Sequence, residues 1–177
     1  VDMTLIAALG LPRNVLRTHI GFMGCHGAMN AMKVAAAFTV ADPEACVLLC
    51  AVELCTLHQQ YGWRPDRVVA NSLFSDGAAA IVGCGDSKWI GRISGRGEHS
   101  DLNLLASGST RLDESSDCMT WRIGDHGFEM SLASQVPNLL QEHLPDWLVG
   151  WLAEQDMTLN DIGSWAIHPG GPRILSA

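Results

Sequence analysis

Met23-Gly24-Cys25-His26-Gly27-Ala28-Met29-Asn30-Ala31-Met32-Lys33-Val34-Ala35-Ala36-Ala37-Phe38-Thr39-Val40, followed after a short polar break by Cys46-Val47-Leu48-Leu49-Cys50-Ala51-Val52, is the stretch on which the fold turns. From His26 to Val40, Ala and Met fall on nearly every side, and Lys33 is the only full charge. A helix that is apolar all round is buried between other elements. Cys46 to Val52 is a continuous apolar run of strand length, the mark of a strand covered on both faces. Upstream, Leu16 to Met23 reads as a strand that delivers the chain to Gly24 and Cys25. Strand, buried helix and strand in that order predict a layered α/β fold.

Outward from this unit, Val1 to Leu11 reads as a short helix ended by Gly10 and Pro12. Leu57 to Asn71 is polar and irregular, and Ala78 to Cys84 is another buried strand closed by a turn over Gly83 to Asp86. Composition shifts there, which places a half-domain boundary near Asp86, with a new strand from Trp89 to Arg96 and a loop-rich stretch from Gly97 to Asp117. Val136, Leu139, Leu140, Leu144, Trp147, Leu148, Trp151 and Leu152 then recur at helical spacing, and Pro145 is expected to kink or divide that helix. Ser164 to Ile167 is a last short strand ending at His168.

The 177 residues are 47% hydrophobic, enough for a sizeable core. A net charge of −8 with 11 scattered basic residues argues against a nucleic-acid surface. No stretch approaches the roughly 18 apolar residues of a membrane span. The start has no basic n-region, so it does not read as a signal peptide, and it lacks an initiator Met. Six cysteines in a long apolar chain suit reduced thiols, and hence a cytoplasmic protein, better than a disulfide scaffold.

Cys25, at a helix start, has unpaired N–H groups and the helix dipole beside it, which favour a thiolate. A hydrolase-type nucleophile elbow needs Gly two residues to each side; Gly27 fits, but Met23 occupies the other position. His26 is a neighbour along the helix, does not face Cys25, and reads as local packing or a hydrogen-bond partner. His168 is held extended by Pro169, and Gly170-Gly171 lets the chain turn sharply and approach a ligand closely. On the residues alone, Cys25 could be structural, His168 a satisfied core histidine and Phe74 a core aromatic. Cys46, Cys50, Cys55 and His58 raise a zinc alternative, but their spacing is not that of a zinc site, and no metal is expected.

Three motifs in this order resemble the catalytic core of a type III polyketide synthase, the chalcone/stilbene-synthase-like branch of the thiolase superfamily. They are Met23-Gly24-Cys25-His26-Gly27, Leu73-Phe74-Ser75-Asp76-Gly77-Ala78-Ala79-Ala80 and Ile167-His168-Pro169-Gly170-Gly171-Pro172. The resemblance spans nearly the whole chain. Its last run is the most specific to the branch, whereas the Asp-Gly-Ala motif marks the superfamily.

The resemblance implies the layered αβαβα thiolase fold, present here in part. Residues 1–86 would be the C-terminal part of the N-terminal half, with the nucleophile helix. Residues 87–177 would be the first part of the C-terminal half, ending just after the catalytic histidine. It implies Cys25 as the acylated nucleophile, His168 as its ion-pair partner and oxyanion donor, and Phe74 as the gate between the CoA tunnel and the cavity. An alignment without gaps through Gly127 and Val136-Pro137 puts Trp121 where chalcone-type members have a small cavity-lining residue. Met130 falls where they have a phenylalanine, and Cys55 and His58 match two further lining positions. For Trp121 the reading as ordinary strand core stays open, since a slip of one residue would move it to the other face.

The implied reaction is decarboxylative Claisen condensation of malonyl-CoA onto an acyl group taken from acyl-CoA. It needs no cofactor, and a homodimer is expected. The family's catalytic asparagine and CoA-gripping basic residues fall outside these 177 residues, which alone are expected to be inactive. Rival readings are a ketoacyl synthase III or ketoacyl-CoA synthase, the former usually showing His-Gln-Ala-Asn where this chain has His168-Pro169-Gly170-Gly171. A rival of another class is a non-catalytic dimerising or acyl-binding module.

Overall fold

The computed structural model describes residues 1–85 and 102–176. The chain gathers into two compact units, Val1–Leu49 with Gly83–Ile93 and Cys50–Val82 with Ser94–Ala177. The boundary expected near Asp86 and the strand expected over Trp89–Arg96 lie outside the described residues.

The first unit opens with α1 (Asp2–Ala8), which ends where Gly10 takes a positive φ of 62°. A 3-10 turn, Gly24–His26, runs directly into α2 (Gly27–Ala41). The chain then turns at Asp42, whose carboxylate accepts the Glu44 N–H at 3.0 Å, and enters β1 (Cys46–Glu53). β1, whose last four residues already belong to the second unit, pairs with β2 (Gly77–Cys84), most of which belongs to it too, in a two-stranded sheet. Gly85, just past β2, lies against the end of α2: a Cβ there would sit 2.9 Å from the Thr39 carbonyl oxygen, so no side chain fits without displacing backbone.

In the second unit a 3-10 turn, Cys55–His58, precedes α3 (Pro65–Leu73). β3 (Met119–Gly124) and β4 (Gly127–Leu132) form an antiparallel hairpin, in register from Met119↔Leu132 to Gly124↔Gly127. α4 (Val136–Ala153) follows, and a short turn, Leu159–Asp161, is closed by a capping box between Thr158 and Asp161. In that box the Thr158 N–H and hydroxyl donate to one Asp161 oxygen at 2.8 and 2.7 Å, which holds the Asp161 carboxyl below its usual pKa. The last helix is α5 (Pro172–Leu175). Among the described residues only Cys118, Pro137 and Leu152 are buried, and all three lie in this unit. Gln135 donates its amide N–H to the Cys118 sulfur at 3.1 Å, and Trp147 stacks on Trp151 with ring centroids 5.9 Å apart along α4.

Several expectations are corrected. α2 is a helix, but none of its residues is buried. β1 alternates exposed and half-buried positions instead of being covered on both faces, and β2 is exposed nearly throughout. The covering layers that such apolar elements require are not supplied by the described residues. Leu16–Met23 and Ser164–Ile167 form no strands; both are irregular, and Phe22 takes a left-handed φ of 59° that breaks extended geometry. Residues 57–71 are not irregular throughout, because α3 begins at Pro65, where the missing N–H costs nothing. Pro145 does not divide α4, which runs as one helix of 18 residues.

Candidate active site

The Cys55–His58 turn, α3 and the β3–β4 hairpin line a half-open cavity of about 150 Å³ in the second unit. Cys55, His58, Phe74, Trp121 and Met130 all line it, together with Phe128. The first five are the residues that the sequence assigned to substrate contact, separated by up to 75 positions along the chain. Trp121 and Met130 stand opposite one another in the hairpin register. The Trp121 ring is edge-on to Phe74 at 6.1 Å, Phe128 at 6.3 Å and His58 at 6.5 Å between centroids. These separations suit edge-to-face aromatic packing. The register thus puts the Trp121 side chain on the cavity face, beside Met130.

Each wall is fixed by hydrogen bonds. Asp76, two residues past Phe74, accepts the Thr56 N–H at 2.8 Å and the Thr56 hydroxyl at 2.7 Å, so the segment that carries Phe74 is tied to the Cys55–His58 turn. Those bonds, the backbone one first, hold the Asp76 carboxyl below its ordinary pKa. Asn71 on α3 donates to the Gln60 carbonyl at 2.8 Å and accepts the Gln60 N–H at 3.3 Å. Arg67 donates to the Tyr61 carbonyl at 2.9 Å and pairs with Glu129 at 3.6 Å, which joins α3 to β4.

Cys25 sits in the Gly24–His26 turn at the start of α2, in the first unit, and is exposed. Gly24 supplies the positive φ of 54° that brings the chain into that turn. His26 is exposed, and its side chain makes no hydrogen bond among the described residues. His168 lies in the second unit, exposed, just before α5. Its carbonyl accepts the Gly170 N–H at 2.9 Å, and a Cβ on Gly170 would lie 3.5 Å from its ring. Gly171 takes a φ of 133° and passes close to Leu73, the residue before Phe74. Among the described residues no group of three His, Cys, Asp or Glu side chains could hold a metal ion, and no helix is long and apolar enough to cross a membrane.

Residues that the sequence reading missed are Phe128, which completes the aromatic wall, and Gln60, which bridges the turn to the hairpin. Gln60 donates from one amide nitrogen to the carbonyls of His58 and Phe128, each at 3.2 Å, and of His126 at 3.4 Å. No periodic signal marks either residue; only the hairpin register brings Phe128 to this face.

Residues 1–86 match the family of chalcone and stilbene synthases, N-terminal domain. Over 99% of its length the chain is 31% identical to an alpha-pyrone synthesis polyketide synthase-like protein, Pks18, of Mycobacterium tuberculosis, and it covers 43% of that relative. Among solved structures it is similar to PKS-I of the brown alga Ectocarpus siliculosus, with a TM-score of 0.88 and 30% identity over 99% of this chain and 45% of that one. It is also similar to 1,3,6,8-tetrahydroxynaphthalene synthase of Streptomyces coelicolor, a bacterial type III polyketide synthase, with a TM-score of 0.83 and 28% identity over 99% of this chain and 47% of that one. The fold is the thiolase-like α/β fold of these synthases, present in part. The chain spans a little under half the length of the relatives it matches.

Proposed function

We propose that this chain, which belongs to the chalcone and stilbene synthase family of type III polyketide synthases, is part of an acyltransferase that builds polyketides by decarboxylative condensation. The observation that carries the reading is the convergence of Cys55, His58, Phe74, Trp121 and Met130 on one cavity. An acyl chain that grows on a cysteine needs an apolar chamber of this kind, with a few placed polar groups.

The Cys25 sulfur attacks the carbonyl of an acyl-CoA, and CoA leaves as the thiolate. Malonyl-CoA loses carbon dioxide, and the electron pair of the broken C–C bond becomes an enolate. The enolate carbon attacks the Cys25 thioester, a β-ketoacyl-CoA forms, and the cysteine thiolate is released. The His168 imidazole donates to the oxygen that gains charge in each acyl step. Phe74 offers an apolar face to the malonyl carboxylate, which favours its loss as neutral carbon dioxide. The substrates are acyl-CoA and malonyl-CoA, and we place the enzyme in the cytoplasm as a homodimer. Trp121 closes one branch of the cavity toward bulky aromatic starters, leaving room for an aliphatic chain.

The test is incubation of the intact protein with malonyl-CoA labelled in its methylene carbon and a series of acyl-CoA starters. Labelled products longer than the starter, lost in Cys25→Ala, are expected. No malonyl-dependent product from any starter would sink the reading.

A further inference from the structure

His58 has a second relationship with the hairpin, independent of its place in the wall. The Phe128 N–H donates to its Nδ1 at 3.2 Å. A ring nitrogen that accepts a hydrogen bond carries no proton, so in the neutral imidazole the proton is on Nε2. Gly127 enforces this contact. It takes a φ of 99°, and a Cβ there would lie 2.8 Å from Nδ1 and 3.1 Å from the Leu57 carbonyl oxygen. The hairpin backbone can come this close to the ring only because residue 127 has no side chain. Gln60 clamps the same junction from its other side.

The other ring nitrogen, Nε2, has no hydrogen-bond partner among the described residues. The ring itself is 5.0 Å from Phe128 and 6.5 Å from Trp121, both of which line the cavity. Several other polar side chains around the cavity are already engaged: Thr56 with Asp76, Asn71 with the Gln60 backbone, Arg67 with Tyr61 and Glu129. The Ser75 hydroxyl and the exposed Gln59 amide line the cavity too, but each side chain can both donate and accept. His58 differs in offering one donor in one fixed direction.

We propose that His58 is a specificity residue: a hydrogen-bond donor, locked in one tautomer by Phe128, that presents Nε2–H to a keto oxygen of the acyl chain. The proposal rests on the condensing-enzyme reading and names the chain that the cavity selects, one carrying a β-keto oxygen in preference to a saturated chain of equal length. A saturated chain leaves the donor without a partner when it displaces water from the cavity. Because His58 is half-buried, the discrimination is that of a single neutral hydrogen bond, about three- to tenfold.

Two variants separate the lock from the donor. In His58→Asn the shorter amide can still accept from Phe128 but has no donor at the Nε2 position. In His58→Gln the longer amide reaches the Nε2 position and can donate, without the lock. The readout in the intact protein is the ratio of kcat/KM for acetoacetyl-CoA and butyryl-CoA as starters, with malonyl-CoA as extender. The wild type should favour acetoacetyl-CoA, His58→Asn should lose about three- to tenfold of that ratio, and His58→Gln should recover part of it. An unchanged ratio in His58→Asn overturns the proposal. Nitrogen-15 NMR of the wild-type imidazole, at a pH where it is neutral, gives a result that does not depend on turnover or on how the variants fold. A proton on Nε2 is expected, and a proton on Nδ1 overturns the lock. Absence of condensation with an Nε2 proton present would instead overturn the parent reading, and the substrate assignment with it.

Discussion

Trp121 and Met130 face each other across the β3–β4 hairpin, and both side chains line the cavity between the hairpin and α3. In an antiparallel pair such opposed residues share a face, so the position of one fixes that of the other. The larger of the two also sits among Phe74, His58 and Phe128. A Trp side chain covers on the order of 200 Å², and here it occupies space that a small residue would leave open.

Replacing Trp121 by Gly should therefore enlarge the cavity on the hairpin side. On the proposed function, the intact protein should then accept bulkier starters or release longer products, read by mass spectrometry of the product mixture at matched malonyl-CoA consumption. An unchanged distribution would return Trp121 to a purely structural role.

How much of this was legible in the sequence follows from which signals are local. The apolar run of α2 and the strand-length run of β1 need no partner to be read, and both elements form. Leu16–Met23 and Ser164–Ile167 have the residue types of strands, but a strand exists only where another pairs with it, and none does among the described residues. α3 was hidden because Pro65 reads as a breaker in a polar segment, although at the first turn of a helix it is tolerated. The face of Trp121 was not legible either. Side chains alternate along a strand, and the face is set by the Gly124–Gly127 turn that fixes the register. The cavity residues Cys55 and His58 could be named from the family resemblance, whereas the bond from Phe128 to His58 could not, because it joins residues 70 apart through backbone geometry.

Asp76 gives the segment just past Phe74 a pH dependence whose sign follows from its lowered pKa. The Thr56–Asp76 contribution is fully present above the ordinary carboxylate range and is lost as pH falls through the depressed value. Amide hydrogen exchange at Thr56 should accelerate at acid pH beyond its intrinsic trend, and Asp76→Asn should remove that excess. The same excess persisting in Asp76→Asn would point to another group. Because Asp76 is exposed, the effect on overall stability should be small.

Cys25 should be alkylated first among the six cysteines. It is exposed in a turn at the head of α2, whereas Cys118 is buried with its sulfur hydrogen-bonded to Gln135. The Cys46 thiol is pushed up by burial and by Cys84 nearby, which lowers its thiolate fraction. Limited iodoacetamide treatment of the intact protein at mildly acidic pH, followed by peptide mapping, should find Cys25 modified ahead of both. Equal labelling of Cys25 and Cys118 would remove the case for an activated nucleophile.

His168→Gln should fold like the wild type, because His168 is exposed and its recorded hydrogen bond is through its backbone carbonyl. If His168 is the oxyanion donor proposed above, its loss costs roughly 10²–10³ in rate, so condensation should fall by that factor while acyl-CoA binding, measured by calorimetry, persists. Near wild-type condensation would show that the oxyanion is stabilised elsewhere.

Two glycines make opposite predictions from the same substitution. Gly127 combines a φ of 99° with a His58 ring that a Cβ would approach to 2.8 Å. Gly127→Ala should destabilise the protein by about 1–3 kcal/mol, through backbone strain and displacement of the ring. Gly150 lies inside α4 with nothing within 4 Å of a Cβ, so Gly150→Ala should stabilise by about 0.5–1 kcal/mol, as alanine loses less backbone freedom in a helix. Thermal unfolding of the intact protein should lower Tm in the first variant and raise it in the second. A Gly127→Ala protein as stable as the wild type would mean that the hairpin can lift away from His58, and the tight junction between the Cys55–His58 turn and β4 would be wrong.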